Sequence, residues 1–137
     1  MGICEKYVNK DVFYFIFRIL VGLLFLQHGL QKLFGAFGGL GGTGQPVDLI
    51  SLMGLAGVIE TFGGIAITLG LFARLGAFIA AIELIIAYFM QNVPNGPIPL
   101  LNQGELALLY VASFLVIIAY GAGKWSLEKA ILKKEFF

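Results

Sequence analysis

Eight side chains in this sequence carry hydrogen-bonding or ionisable chemistry inside or beside long apolar runs: Arg18, Gln27, His28, Gln31, Lys32, Glu60, Glu83 and Glu105. His28 and Lys32 are four residues apart, so on a helix they share a face one turn from each other. An imidazole and an ammonium so placed can donate to a carbonyl or an oxyanion, with Glu60 or Glu105 as the proton partner. Glu83 supplies a further carboxylate, and Gln27, Gln31 and Arg18 add donors for holding a ligand. A second reading stays open at this level. The carboxylates can instead pair with Arg18, His28 or Lys32 simply to hold helices together.

Other chemistries are excluded by residue type. The sequence has one histidine, and no second histidine or cysteine stands near it, so neither a metal centre nor a bis-histidine haem is expected. A single cysteine, Cys4, forms no internal disulfide and no CxxC redox pair. Ser51, Ser113 and Ser126 lack the flanking glycines of a nucleophile elbow. The glycine-rich run GAFGGLGGTGQPVD at 35–48 has no preceding strand and no GK[ST] ending, so it reads as a linker or a short re-entrant loop.

The elements that must position these residues are membrane helices. Of 137 residues, 59% are hydrophobic and 12% charged, against about 25% charged in soluble domains. The apolar residues fall into blocks that predict one all-α domain of four transmembrane helices, roughly 12–34, 49–71, 75–90 and 105–120. The first block is too long for a signal h-region and lacks a cleavage site, so it is expected to remain as the first span.

Periodicity then assigns faces. At about 100° per residue, Arg18, Gly22, Phe25, Gly29 and Lys32 form one stripe on the first span. A charge at mid-bilayer costs roughly 2.5–3.5 kcal/mol, so this stripe should turn toward protein or a wet cavity. Gly57, Thr61, Gly64 and Thr68 make a small-residue face on the second span, suited to close helix contact. Gly76, Ala80, Glu83 and Ala87 do the same on the third. The short Phe72–Ala73–Arg74 connection predicts antiparallel neighbours, and Glu105 suits the first turn of the fourth span. In the tail, Ser126 is a candidate N-cap for a short amphipathic surface helix beside Trp125.

Lys6, Lys10, Arg74, Lys124, Lys129, Lys133 and Lys134 flank one side, whereas the two long connections lack Lys and Arg. The positive-inside rule therefore places both termini in the cytoplasm, with the protein in the cytoplasmic membrane. A net charge of +1 without a basic patch argues against nucleic acid.

Four stretches carry a resemblance: HGLQKLFG at 28–35, GLAGVIETFGGIAITLGLFAR at 54–74, NQGELALLY at 102–110 and GAGKWSLE at 121–128. In this order they resemble the DoxX family, whose pattern is similar to HGxxK, GxxE followed by GLFxR, NxGE and GxGKWSLD. Glu128 stands where the pattern has Asp, and Glu83 lies outside the matched motifs. The resemblance implies a four-helix membrane bundle. Among relatives, DoxD is the larger subunit of a thiosulfate:quinone oxidoreductase, and others are linked to membrane redox complexes handling thiols. The expected function is thus a quinone-reactive subunit with His28, Lys32, Glu60 and Glu105 as reactive groups. A partner subunit would bring the electron donor, and a homo-oligomer is compatible with the glycine faces. A non-catalytic assembly protein and a small-anion transporter lined by Lys32 and Arg18 are the alternatives.

Overall fold

The computed structural model describes residues 8–134, so Cys4 and Lys6 lie outside the described residues. Helix α1 (Lys10–Phe34) starts where the Asn9 side chain accepts from the Asp11 and Val12 amides at 3.1 and 3.3 Å. It stops at Gly35, which takes a left-handed φ of 66°. Helix α2 (Leu52–Leu69) is capped by Ser51, whose hydroxyl accepts from the Gly54 amide at 3.0 Å. The connection to α3 (Ala73–Ala87) is residues 70–72. That is earlier than the sequence suggests, because Gly70 adopts a φ of 67° and ends α2 there. Beyond Ala87 the helix widens into a π turn, Tyr88–Asn92, then tightens into a 3-10 turn, Val93–Asn95. Helix α4 (Glu105–Tyr120) has the expected bounds, and α5 (Leu127–Leu132) follows Ser126, whose hydroxyl accepts from the Lys129 amide at 3.3 Å. No strand occurs among the described residues.

Among the described residues, three helical stretches are long and apolar enough to cross a membrane: Lys10–Phe34, Leu52–Leu69 and Ala73–Asn95. The fourth, Glu105–Tyr120, is apolar but only 16 residues long, about 24 Å at 1.5 Å per residue.

Packing follows the small residues. Along α1 and α2, Gly22 faces Thr68, Leu26 faces Gly64, Gly29 faces Thr61, and Leu33 faces Gly57, so the helices run antiparallel. A Cβ on Gly64 would sit 2.7 Å from the Leu26 backbone, which means glycine itself sets the separation. Helix α2 meets α3 through Gly63 and Ala66 against Gly76 and Ala80. Helix α3 turns Ala73, Ala77, Ala80, Ala81 and Leu84 toward a core completed by Tyr110, Phe114 and Ile117 of α4. The α1–α4 side is held apart and filled by rings. Phe25 meets Phe114 edge-on at 4.8 Å and Tyr110 at 5.5 Å. Tyr14 closes the same side by donating its hydroxyl to the Gly121 carbonyl at 2.5 Å.

Outward faces carry Phe13, Leu20, Leu24, Phe62, Phe78, Ile82, Leu109 and Leu115, all more than two-fifths exposed. Continuous apolar exterior of this kind needs lipid around it. The start of α1, the 70–72 turn, the end of α4 and α5 gather at one end. There Lys124 approaches Asp11 at 3.6 Å, and the Glu128 amide donates to the Gly70 carbonyl at 3.1 Å. The connection at 35–48 occupies the opposite end and folds back on α1, with the Val47 amide donating to the Lys32 carbonyl at 2.8 Å.

Candidate functional site

Near that second end, the four longer helices line a partly open cavity of about 240 Å³. Helix α1 contributes His28, Gln31 and Lys32, α2 contributes Glu60, α3 contributes Glu83, and α4 contributes Tyr110.

Its centre is an ion pair. Lys32 Nζ donates to both oxygens of Glu60 at 2.5 Å, with side chains 14% and 3% exposed. The local reason is Gly57, one turn before Glu60. A Cβ on Gly57 would lie 3.0 Å from Lys32 Cβ, so only a glycine leaves room for the lysine stem to pass along α2. Such a pair persists in a low dielectric only when both partners stay in place.

Two aromatic polar groups face this pair. The His28 ring meets Tyr110 edge-on at 5.8 Å, and Tyr110 is fixed from behind by Phe25 and Phe114. No hydrogen bond among the described residues engages the His28 ring or the Tyr110 hydroxyl. Both therefore stand ready to donate. Glu83 completes the wall, and its Oε2 atom is buried without a hydrogen-bond partner among the described residues. An unsatisfied buried carboxyl oxygen is costly, which marks this spot for a donor brought by a ligand or water. No group of three His, Cys, Asp or Glu among the described residues is arranged to hold a metal ion.

Three residues expected at the site lie elsewhere. Arg18 is buried, but 14 residues before Lys32, about 21 Å away along the helix axis. It donates to the carbonyls of Ile67 at 2.7 Å, Thr68 at 2.9 Å and Trp125 at 2.7 Å, and its guanidinium lies over the Phe15 ring. Its charge thus serves the carbonyl end of α2. Gln27 is exposed, because it stands about 140° around α1 from Lys32. Glu105 is exposed in the first turn of α4, about 140° from Tyr110. Gln31 does border the cavity while donating to the Gly39 carbonyl at 3.2 Å, which pins the glycine-rich connection and its Leu40 over the opening.

Residue-type reasoning also missed contributors. Tyr110 was readable from its spacing with Phe114 and Ile117, which marks the inward face of α4. Asn102, 2% exposed, donates to the Gly96 carbonyl at 2.8 Å and accepts from the Gly104 amide at 2.8 Å. It thereby fixes the entry into α4. Gln91, Asn92 and Gln103 form the polar rim; the first two sit in the π turn that prolongs α3 and the third in the short connection before α4.

A family model described as DoxX matches residues 13–92. An uncharacterized protein of Haemophilus influenzae is 40% identical over 137 residues, covering 98% of this chain and 100% of that protein. No solved structure matches this chain.

Proposed function

This chain belongs to the DoxX family, and we propose that it is the integral-membrane, quinone-binding subunit of an oxidoreductase. The observation carrying this reading is that every one of the four longer helices turns at least one hydrogen-bonding or ionisable side chain into one cavity of an otherwise apolar molecule. Such groups are expensive at membrane depth and mark functional sites there.

A bound quinone supplies the redox chemistry, taking up two electrons and two protons to become the quinol. The chain's own residues suit its head group. His28 and the Tyr110 hydroxyl are donors for the carbonyl oxygens. Lys32, held by both Glu60 oxygens, keeps a third N–H that can reach the head group. Glu83 has a free oxygen through which a proton can be exchanged. Electrons have to arrive from a partner subunit, since the sequence has one cysteine and no redox pair. In this reading Glu105–Tyr120 is a fourth, short span. Both termini face the cytoplasm, because Lys10, Arg74, Lys124, Lys129, Lys133 and Lys134 flank the same end.

One observation favours a second reading, a non-catalytic assembly protein. The Lys32–Glu60 pair already satisfies both charges. An anion path is less well supported, since Lys32 is committed to Glu60 and Arg18 to three carbonyls. The test is calorimetric binding of tailless benzoquinone and naphthoquinone head groups to the protein in nanodiscs. His28→Ala should weaken binding about tenfold, the scale of one hydrogen bond. Absence of binding by the folded wild-type protein refutes the quinone reading.

A further inference from the structure

A second hollow lies on the lipid-facing side between α2 and α3. It is a groove of about 280 Å³ walled by Leu55, Ile59, Ile82 and Ile86. The two helices are close where Gly63 and Gly76 meet, and the groove opens toward the other end, where α3 passes into its π turn. Met53, Ala56, Glu83, Ala87 and Gln91 border both the groove and the polar cavity. The two hollows are therefore adjoining parts of one space, apolar outside and polar inside, and Glu83 stands on the boundary between them.

We infer that the ligand of this cavity is a membrane-borne isoprenoid quinone that enters sideways between α2 and α3, leaving its tail in the groove and passing its head beyond Glu83. This rests on the quinone reading for the head and adds the route and the tail. The polarity split fits a molecule with a compact polar head and a long apolar chain. Charge selects among such molecules. Lys32 is already neutralised by Glu60 at 2.5 Å, and the other ionisable groups on the wall are the Glu83 carboxyl, the His28 imidazole and the Tyr110 phenol, none of them a permanent cation. A phospholipid phosphate would find no spare cation there, whereas a neutral carbonyl or quinol head meets the donors His28 and Tyr110 and the unsatisfied oxygen of Glu83. The tail gains little over its place in the bilayer, since hydrocarbon is as apolar as the groove. The groove's task is to let the head reach the cavity while the tail stays in an apolar medium.

The experiment crosses two probes with groove-filling variants. The probes are a tailless dimethoxy-methyl-benzoquinone and the same head with a decyl tail, both measured in nanodiscs. Ile82 and Ile86 are 45% and 53% exposed and line the groove without touching the cavity, so Ile82→Trp and Ile86→Trp leave the core and the head site intact. Thermal unfolding matching wild type verifies this for each variant. The expected result is a loss of about tenfold or more for the tailed probe in either variant, with the tailless probe within about twofold of wild type. The inference is overturned if the tailed probe keeps its affinity in both variants, or if both probes weaken together. Failure of the tailless probe to bind the folded wild type overturns instead the quinone reading beneath it, whereas a wild type that binds the tailless probe but not the tailed one overturns the groove.

Discussion

Glu60→Gln, Lys32→Met and the double variant form a cycle whose outcome the structure sets in advance. Lys32 Nζ contacts both Glu60 oxygens, and the side chains are 14% and 3% exposed. Removing one partner of a buried pair costs about 3–5 kcal/mol, because the survivor stays charged in a low dielectric. The residual exposure of Lys32, and the amide carbonyl left beside it, hold Glu60→Gln to the lower end, about 3 kcal/mol, and Lys32→Met is held to about the same because a stranded carboxylate can take up a proton. Exchanging both partners for neutral groups of similar size leaves no orphan charge, so the double variant should lose about 1 kcal/mol or less. It should then be more stable than either single variant, where additivity would put it about 6 kcal/mol below wild type. Reversible unfolding in detergent, followed by Trp125 fluorescence, measures all four corners. Additive losses would refute the pairing and, with it, the account of the cavity. The same double variant separates the two functional readings. A stable protein that no longer binds the quinone head assigns the pair to the site, whereas a stable protein with intact binding assigns it to packing alone.

Two further predictions concern what holds the cavity in shape. Gly64→Ala would drive a Cβ to 2.7 Å from the Leu26 backbone and should cost about 2 kcal/mol in the same unfolding assay. Its neighbour Gly63→Ala meets nothing nearer than 3.6 Å and should be neutral or stabilising by up to about 1 kcal/mol, since alanine is the better helix former. Arg18→Met removes three charge-assisted hydrogen bonds to Ile67, Thr68 and Trp125, each worth about 1.5–3 kcal/mol. Hydrogen exchange should then rise across the segment from Trp125 through α5, and an unchanged exchange pattern there would refute the anchoring role of Arg18.

The sequence was informative wherever a helix's own periodicity decides the outcome. The inward stripe of α1, the glycine–threonine face of α2 and the bounds of α4 all follow from spacing within one element, and all appear in the structure. Lys32 was among the partners considered for Glu60, and Gly57 is the residue that makes that choice possible. Glu105 shows where the reasoning stopped. Its position at the head of α4 was correct, yet its phase relative to Tyr110 turns it outward, and the phase mattered more than the charge. The groove was unreadable for a different reason. Period and residue type specify which faces of α2 and α3 meet, but not how far apart those faces stand along their length. The small residues Gly63, Ala66, Gly76 and Ala80 draw the helices together at one end. Toward the other, Ile59, Ile82 and Ile86 wall the groove between them, which runs on to the π turn after Ala87. Glu83 stands on the border of groove and cavity, so whether it meets lipid, ligand or protein is decided by how two helices pack, a property that neither helix encodes alone.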